Sequence, residues 1–197
     1  MEQIPPIAEL DALGATALAK ALAPLFEGAP LFAARLGLDR PFGSYGALLE
    51  RARVVALAMP EAEQIALLDA HPRIGAPPAT VSPLSFREQG YDRETRDQPS
   101  DSVGDPAART DPAASAEEEP ARQQLAIELE RLNAAYESRF GFRFVIHVAG
   151  RSRADIARVM EELLSAEGQD EKRRALNDVV NIAQDRLVRL RAAEAAG

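Results

Sequence analysis

The chain contains no cysteine. That absence removes disulfides, thiol nucleophiles and thiolate metal sites together, and it fits a reducing compartment. No apolar run approaches the roughly 18–20 residues that a membrane-spanning helix needs, so no membrane association is expected. The opening residues, Met1 to Leu10, lack a basic stretch followed by an apolar one, so no secretory signal is expected and the reading is cytoplasmic. Positive charge is also in deficit: 23 Lys and Arg against 31 Asp and Glu leave a net charge of -8. A general nucleic-acid binder would need a basic face to neutralise phosphates, so that partner is excluded. A small anionic substrate is not excluded, because one or two local arginines can hold it. Histidine occurs only at His71 and His147. Two histidines this far apart, with no His-Glu-x-x-His, make no metal signature. There is no Gly-rich phosphate loop and no Gly-x-Ser-x-Gly elbow. Nucleotide-, metal- and thiol-dependent chemistry therefore finds no support.

What remains is rich in alanine, leucine, arginine and glutamate, with 46% apolar residues and 5% aromatics, a mixture that favours helices. A length of 197 residues suits one domain spanning 1–197. Leu18, Leu22, Leu25 and Phe26 recur at helical spacing before Gly28 and Pro30 break the run. Ser44 is placed to cap a helix carrying Leu48, Leu49 and Val55. Pro60 begins another, whose Ile65, Leu67 and Leu68 lead into His71-Pro72. Leu125, Leu129, Leu132 and Tyr136 form one stripe that Gly141 can end. Ser152, with Asp155 three residues on, caps a helix bearing Ile156, Val159, Met160, Leu163 and Leu164. Gly168 separates it from a last helix carrying Leu176, Val179, Val180, Ala183, Leu187 and Leu190.

Two stretches stand apart. From Asp97 to residue 119 the only large aliphatic or aromatic residue is Val103, which cannot offset the entropy of ordering such a segment. Residues 92–119 are therefore expected to be a mobile surface insertion. Phe142, Phe144, Ile146 and Val148 alternate as a strand would. With no second strand to pair with, the 142–149 stretch is expected to be an extended segment inside an all-α, single-domain helical bundle.

Three constellations could carry chemistry. His71 precedes proline, which pushes it out of helical geometry and leaves its ring just beyond a helix C-terminus. The dipole there favours the protonated ring, and proton transfer near neutral pH suits a histidine so held. A helix-terminating histidine with no chemical task fits the same dipeptide. Ser85-Phe86-Arg87-Glu88 reads as a capping box, and Glu88 can in addition face a pocket shared with His71, where imidazole and carboxylate divide proton abstraction and delivery. Gly141 to Ser152 sets extended backbone before a helix N-terminus, with Arg151 available for a forked contact to a carboxylate. A buried connector with a solvated arginine is the alternative there, and His147, between apolar neighbours, reads as a core or surface residue.

In order along the chain, Ala70-His71-Pro72-Arg73-Ile74-Gly75, Ser85-x-x-Glu88-Gln89, Leu129 to Glu137 and Arg139-Phe140-Gly141-Phe142-Arg143-Phe144-Val145-Ile146 resemble the 2-oxo-4-hydroxy-4-carboxy-5-ureidoimidazoline (OHCU) decarboxylases. The similarity covers nearly everything outside the insertion. It implies an all-helical homodimer without a cofactor, converting the ureidoimidazoline to (S)-allantoin in urate breakdown. His71 and Glu88 would be the catalytic pair. Pro72, Ser85 and Gln89 would line the pocket, and backbone around Phe144 and Ile146 would hold the substrate ring. Many members carry an arginine where this chain has Ala149, and Arg151 is the candidate replacement. The family's Arg-Leu-x-Asn also reads Leu163-Leu164-Ser165-Ala166 here. These departures keep two other readings open: an inactive helical binding domain of the same family, and a decarboxylase or lyase for another small ureido carboxylate.

Overall fold

The computed structural model describes residues 3–90 and 112–195. Its α-helices, numbered along those residues, are α1 (Ile7–Ala12), α2 (Ala15–Phe26), α3 (Pro30–Leu36), α4 (Tyr45–Ala58), α5 (Glu61–Asp69), α6 (Pro83–Glu88), α7 (Pro112–Phe140), α8 (Arg153–Leu163) and α9 (Gly168–Ala195). Among the described residues there is no strand, and no single helix is long and apolar enough to cross a membrane.

The expected stripes form the core. Leu18, Leu22, Leu25 and Phe26 of α2 are buried, as are Leu129, Leu132 and Tyr136 of α7. The axis of the packing is α9, about 42 Å long at 1.5 Å per residue. It lies against both α4 and α2, and buries Leu176, Val179, Val180, Ala183, Leu187 and Leu190. Ser44 and Ser152 cap as their spacing predicts, accepting from the N–H groups of Ala47 and Asp155 at 3.1 Å each.

Two expectations change. Residues 92–111 of the anticipated insertion lie outside the described residues, but 112–119 form the opening of α7. The capping box is displaced: Ser82, not Ser85, caps α6, accepting from the Ser85 N–H at 3.2 Å. The reason is Pro83, which has no N–H to leave unpaired and a backbone already set for the first helical position. Ser85 thereby moves into the helix, and Glu88 becomes its last residue.

The extended stretch 142–148 is present, and side chains from elsewhere meet some of its backbone groups in place of a partner strand. Asp69 accepts from the Arg143 N–H at 2.9 Å, and Arg174 donates to the Val145 carbonyl at 2.9 Å. Its aromatics pack edge-on to Tyr136, Phe142 at 5.7 Å and Phe144 at 5.0 Å between ring centroids. The Tyr136 hydroxyl donates to Glu171, which Arg174 also holds. Burial and that neighbouring carboxylate push the phenol's pKa well up, so the hydroxyl stays a donor.

After α5 the chain turns through His71 to Gly75, and side chains from elsewhere hold it. Asn133 donates to the Ile74 carbonyl at 2.9 Å, and Gln89 spans the turn, accepting from Gly75 N–H at 3.0 Å and donating to Arg73 O at 3.2 Å. Gly75 has φ +79°, and a Cβ there would meet Leu129 Cδ1 at 3.1 Å. Gly150 has the same φ and open space around it. Gly75→Ala should therefore cost about 1–3 kcal/mol, and Gly150→Ala less, because only the first adds a collision to the backbone strain. Urea unfolding of the two variants checks this; equal losses would show that Leu129 yields freely.

Candidate active site

The ends of α2, α5 and α6 meet the side of α9. From α2 comes Glu27, its C-cap, in a left-handed conformation at φ 49°. From α6 comes Glu88, from the turn after α5 comes His71, and from α9 comes Arg186. Arg186 is 1% exposed, the largest fully buried side chain in the protein's described core. Its guanidinium takes Glu88 in a fork, Nε to Oε1 at 2.8 Å and Nη2 to Oε2 at 2.7 Å. Nη2 also reaches Glu27 at 2.6 Å and the Ser85 hydroxyl oxygen at 2.9 Å, while Nη1 donates to the Pro24 carbonyl at 3.1 Å. Ser85 in turn donates to Glu27 at 2.6 Å.

This cluster sets the charges around it. Burial works against the Arg186 cation, but hydrogen bonds and attraction from Glu88 and Glu27 outweigh it and hold the guanidinium firmly protonated. Burial likewise raises Glu27, and the opposing pull of Arg186 and the Ser85 hydroxyl brings it below the ordinary carboxylate range. His71 is driven the other way. Burial first, then repulsion from Arg186, lowers its pKa to about 4, only partly offset by Glu27 and the Leu67 carbonyl. The expectation of a ring protonated by the helix dipole is thus corrected. The helix C-terminus acts instead through one carbonyl: Nδ1–H donates to Leu67 O at 3.1 Å. That bond fixes the neutral tautomer. Nε2 is left as a buried lone pair with no hydrogen-bond partner among the described residues.

The expectation is that Glu88 faces a pocket shared with His71. No hydrogen bond joins them; the Glu88 carboxylate is engaged by Arg186 because a buried guanidinium requires an anionic partner. Glu88 does face a cleft of about 260 Å³, whose wall also holds Arg87, His147, Ala149, Arg151 and Asp185. His71, 4% exposed, is not on that wall. Arg151 is, with Nη1 folded back onto the His147 carbonyl at 2.9 Å. Phe144 and Ile146 point their side chains into the core, Pro72 is half-buried beside His71, and Gln89 braces the His71–Gly75 turn. His147 bonds Asp185 at 2.7 Å. Among the described residues no group of three or more His, Asp and Glu could hold a metal ion.

Arg186, Glu27, Asn133 and Arg143 were not picked out from sequence. Arg186 carried a signal: it sits three residues after Ala183 and four before Leu190, an arginine on the apolar stripe of α9.

A family model described as OHCU decarboxylase matches residues 11–103 and 101–188. The chain belongs to the OHCU decarboxylase family. Among its relatives, the uric acid degradation bifunctional protein of Bacillus sp. (strain TB-90) is 25% identical over 182 residues, 91% of this chain and 31% of that protein. The chain thus spans about a third of the length of the bifunctional relatives it matches. The 2-oxo-4-hydroxy-4-carboxy-5-ureidoimidazoline decarboxylase of Haloferax volcanii is 29% identical over 163 residues, covering 83% of this chain and 82% of that one. The fold matches a crystal structure of OHCU decarboxylase obtained in the presence of (S)-allantoin, with a TM-score of 0.58 at 20% identity, over 87% of this chain and 96% of that one.

For an OHCU decarboxylase family member, a neutral buried histidine has a measurable consequence. The unfolded chain protonates His71 near 6.5 and the folded chain near 4. Between those values the unfolded state binds more protons, so stability is full above pH 6.5 and declines as pH falls toward 4. At about 1.4 kcal/mol per unit the loss sums to roughly 3 kcal/mol. Glu27 adds to acid lability only below the ordinary glutamate value of 4.5. Urea titrations across pH should show this slope in wild type and its absence in His71→Leu; parallel slopes would mean the buried ring titrates normally.

Proposed function

We propose that the protein decarboxylates 2-oxo-4-hydroxy-4-carboxy-5-ureidoimidazoline to (S)-allantoin in urate degradation, using its own side chains and no cofactor. The observation that carries this reading is the Nε2 lone pair of His71, buried and unpartnered within the field of a fully buried Arg186. A buried acceptor left open costs on the order of 1–3 kcal/mol, which a substrate hydroxyl would recover by donating to it. His71 is then a base from the outset, because it is neutral and its tautomer leaves Nε2 free.

In this reaction the bond from the ring carbon to the carboxylate breaks and releases CO2. The electron pair stays with the ring, where the adjacent imine and carbonyl accept it, and a proton closes the carbon to allantoin. His71 takes the hydroxyl proton, and His71 and Glu88 govern its return to one face. Arg186 supplies the fixed positive charge that offsets the developing anion, a role suited to a guanidinium already held by Glu88 and Glu27. Pro72, Ser85 and Gln89 shape the pocket, with Arg151 and the backbone near Phe144 and Ile146 completing the substrate contacts. The same reading includes a homodimer, carried over from the family, and a cytoplasmic location, in keeping with the cysteine-free composition.

Circular dichroism on freshly generated substrate tests the proposal, because the unaided decay gives racemic allantoin and no lasting signal. Wild type should produce the (S)-allantoin signal rapidly. His71→Ala and Glu88→Gln should each lose about 100-fold or more in rate, the usual contribution of positioned acid–base groups. Folded wild-type protein that only matches the spontaneous decay would replace the enzyme by a helical binding domain.

A further inference from the structure

We infer that Arg143 is a positioning residue, whose guanidinium sets the aim of the His71 imidazole by holding the main chain on which that ring is mounted. The inference rests on the decarboxylase reading only for its kinetic readout. The His71 ring is tied to α5 through Nδ1 and Leu67 O, so the direction of Nε2 follows the backbone between Leu67 and His71. That backbone is the end of a helix, where the last carbonyls have no partner within the helix. Arg143 supplies one: Nη1 donates to the Asp69 carbonyl at 2.6 Å and to the His71 carbonyl at 3.1 Å. The clasp runs both ways, since the Asp69 carboxylate accepts from the Arg143 N–H at 2.9 Å.

The surroundings leave Arg143 to this task. Its nearby acid Glu137 is occupied by Arg73, whose Nε donates at 2.6 Å. Asp69, Arg73, Glu137 and Arg143 line one open depression of about 260 Å³ that is separate from the Glu88 cleft, the two sharing no lining residue. A small cation can therefore reach the place of the guanidinium without crossing the substrate cleft. Both bonds come from Nη1, so a lysine ammonium would keep the charge and the donors but lose the rigid planar mounting that fixes where they point. Displacement of a reacting group by about 1 Å can cost about 100-fold in rate, which is the scale on which such a clasp acts.

The experiment compares wild type, Arg143→Met, Arg143→Lys and Arg143→Ala. Arg143→Met should lower kcat about 10- to 100-fold with KM nearly unchanged, and Arg143→Lys should fall between it and wild type. With only two histidines, nitrogen NMR resolves each ring. His71 should lose its single Nδ1–H tautomer in Arg143→Met while His147 keeps its wild-type signals. Methylguanidinium at non-denaturing concentration should restore part of the turnover of Arg143→Ala and add nothing to wild type. Folded Arg143→Met with wild-type kcat overturns the inference. So does a lowered kcat with unchanged His71 resonances, because the arginine then acts by another route. If Arg143→Met does not fold, the Lys variant carries the same comparison. Wild type that folds but turns over no substrate removes the decarboxylase reading, and the resonances then decide the positioning alone.

Discussion

A buried guanidinium cannot be left without anions, and Arg186 imposes that constraint on everything near it. It stands on α9, the helix against which α2 and α4 pack, so its place is settled by apolar burial on either side. Its charge must then be matched where it lies. Glu88 meets it from the end of α6, Glu27 from a left-handed cap after α2, and the Pro24 carbonyl from the last turn of α2. Helix C-termini favour a cation, so the geometry that brings these ends together is also the one the charge prefers. Removing either carboxylate leaves the other partner desolvated and underpaired, which makes the cluster an organiser of the fold as much as of the site.

The same cluster decides what His71 can be. A protonated imidazole would add a second buried cation within the field of the first, and burial alone already opposes it. The ring stays neutral, its tautomer is chosen by Leu67, and Nε2 remains open. Around it the backbone is held at four of its five residues by donors and acceptors from distant segments: Arg143 at His71, Gln89 at Arg73 and Gly75, Asn133 at Ile74. A turn with its backbone so braced keeps the ring in place with the one bond from Nδ1, so that Nε2 need not be bonded. That is the condition for an available base in a dry interior.

The periodic part of this protein was legible from its residues. Apolar stripes located α2, α9 and the buried half of α7, and Ser44 and Ser152 announced their helices, because spacing and cap chemistry are local properties. The start of α6 was misplaced by three residues because Ser82 and Ser85 offer the same hydroxyl, and only Pro83 distinguishes them. The charges were harder. His71 beside a helix C-terminus reads as a cation by any local rule, and what makes it neutral is burial in the assembled core, reinforced by an arginine 115 positions away in the chain. Glu88 reads as the partner of the imidazole until Arg186 is in place. Burial and long-range electrostatics decided both, and no pattern in a window of sequence contains them.

The extended stretch 142–148 shows how the helical architecture leaves room for a site. Helices satisfy their own backbone groups and have few to offer; an unpaired extended segment must have each group met by something else. Here Asp69 and Arg174 meet some of them, and the aromatic packing on Tyr136 holds the segment down. The chain then turns through Ala149 at φ 49° and Gly150 at φ 79° and contributes both residues to the wall that faces Glu88. A conformation that costs alanine on the order of 1 kcal/mol persists because the segments on both sides are fixed, by the core before it and by the Ser152 cap after it. Strain at Ala149 and open backbone thus meet at the end of this stretch, on the wall of the cleft that Glu88 also lines.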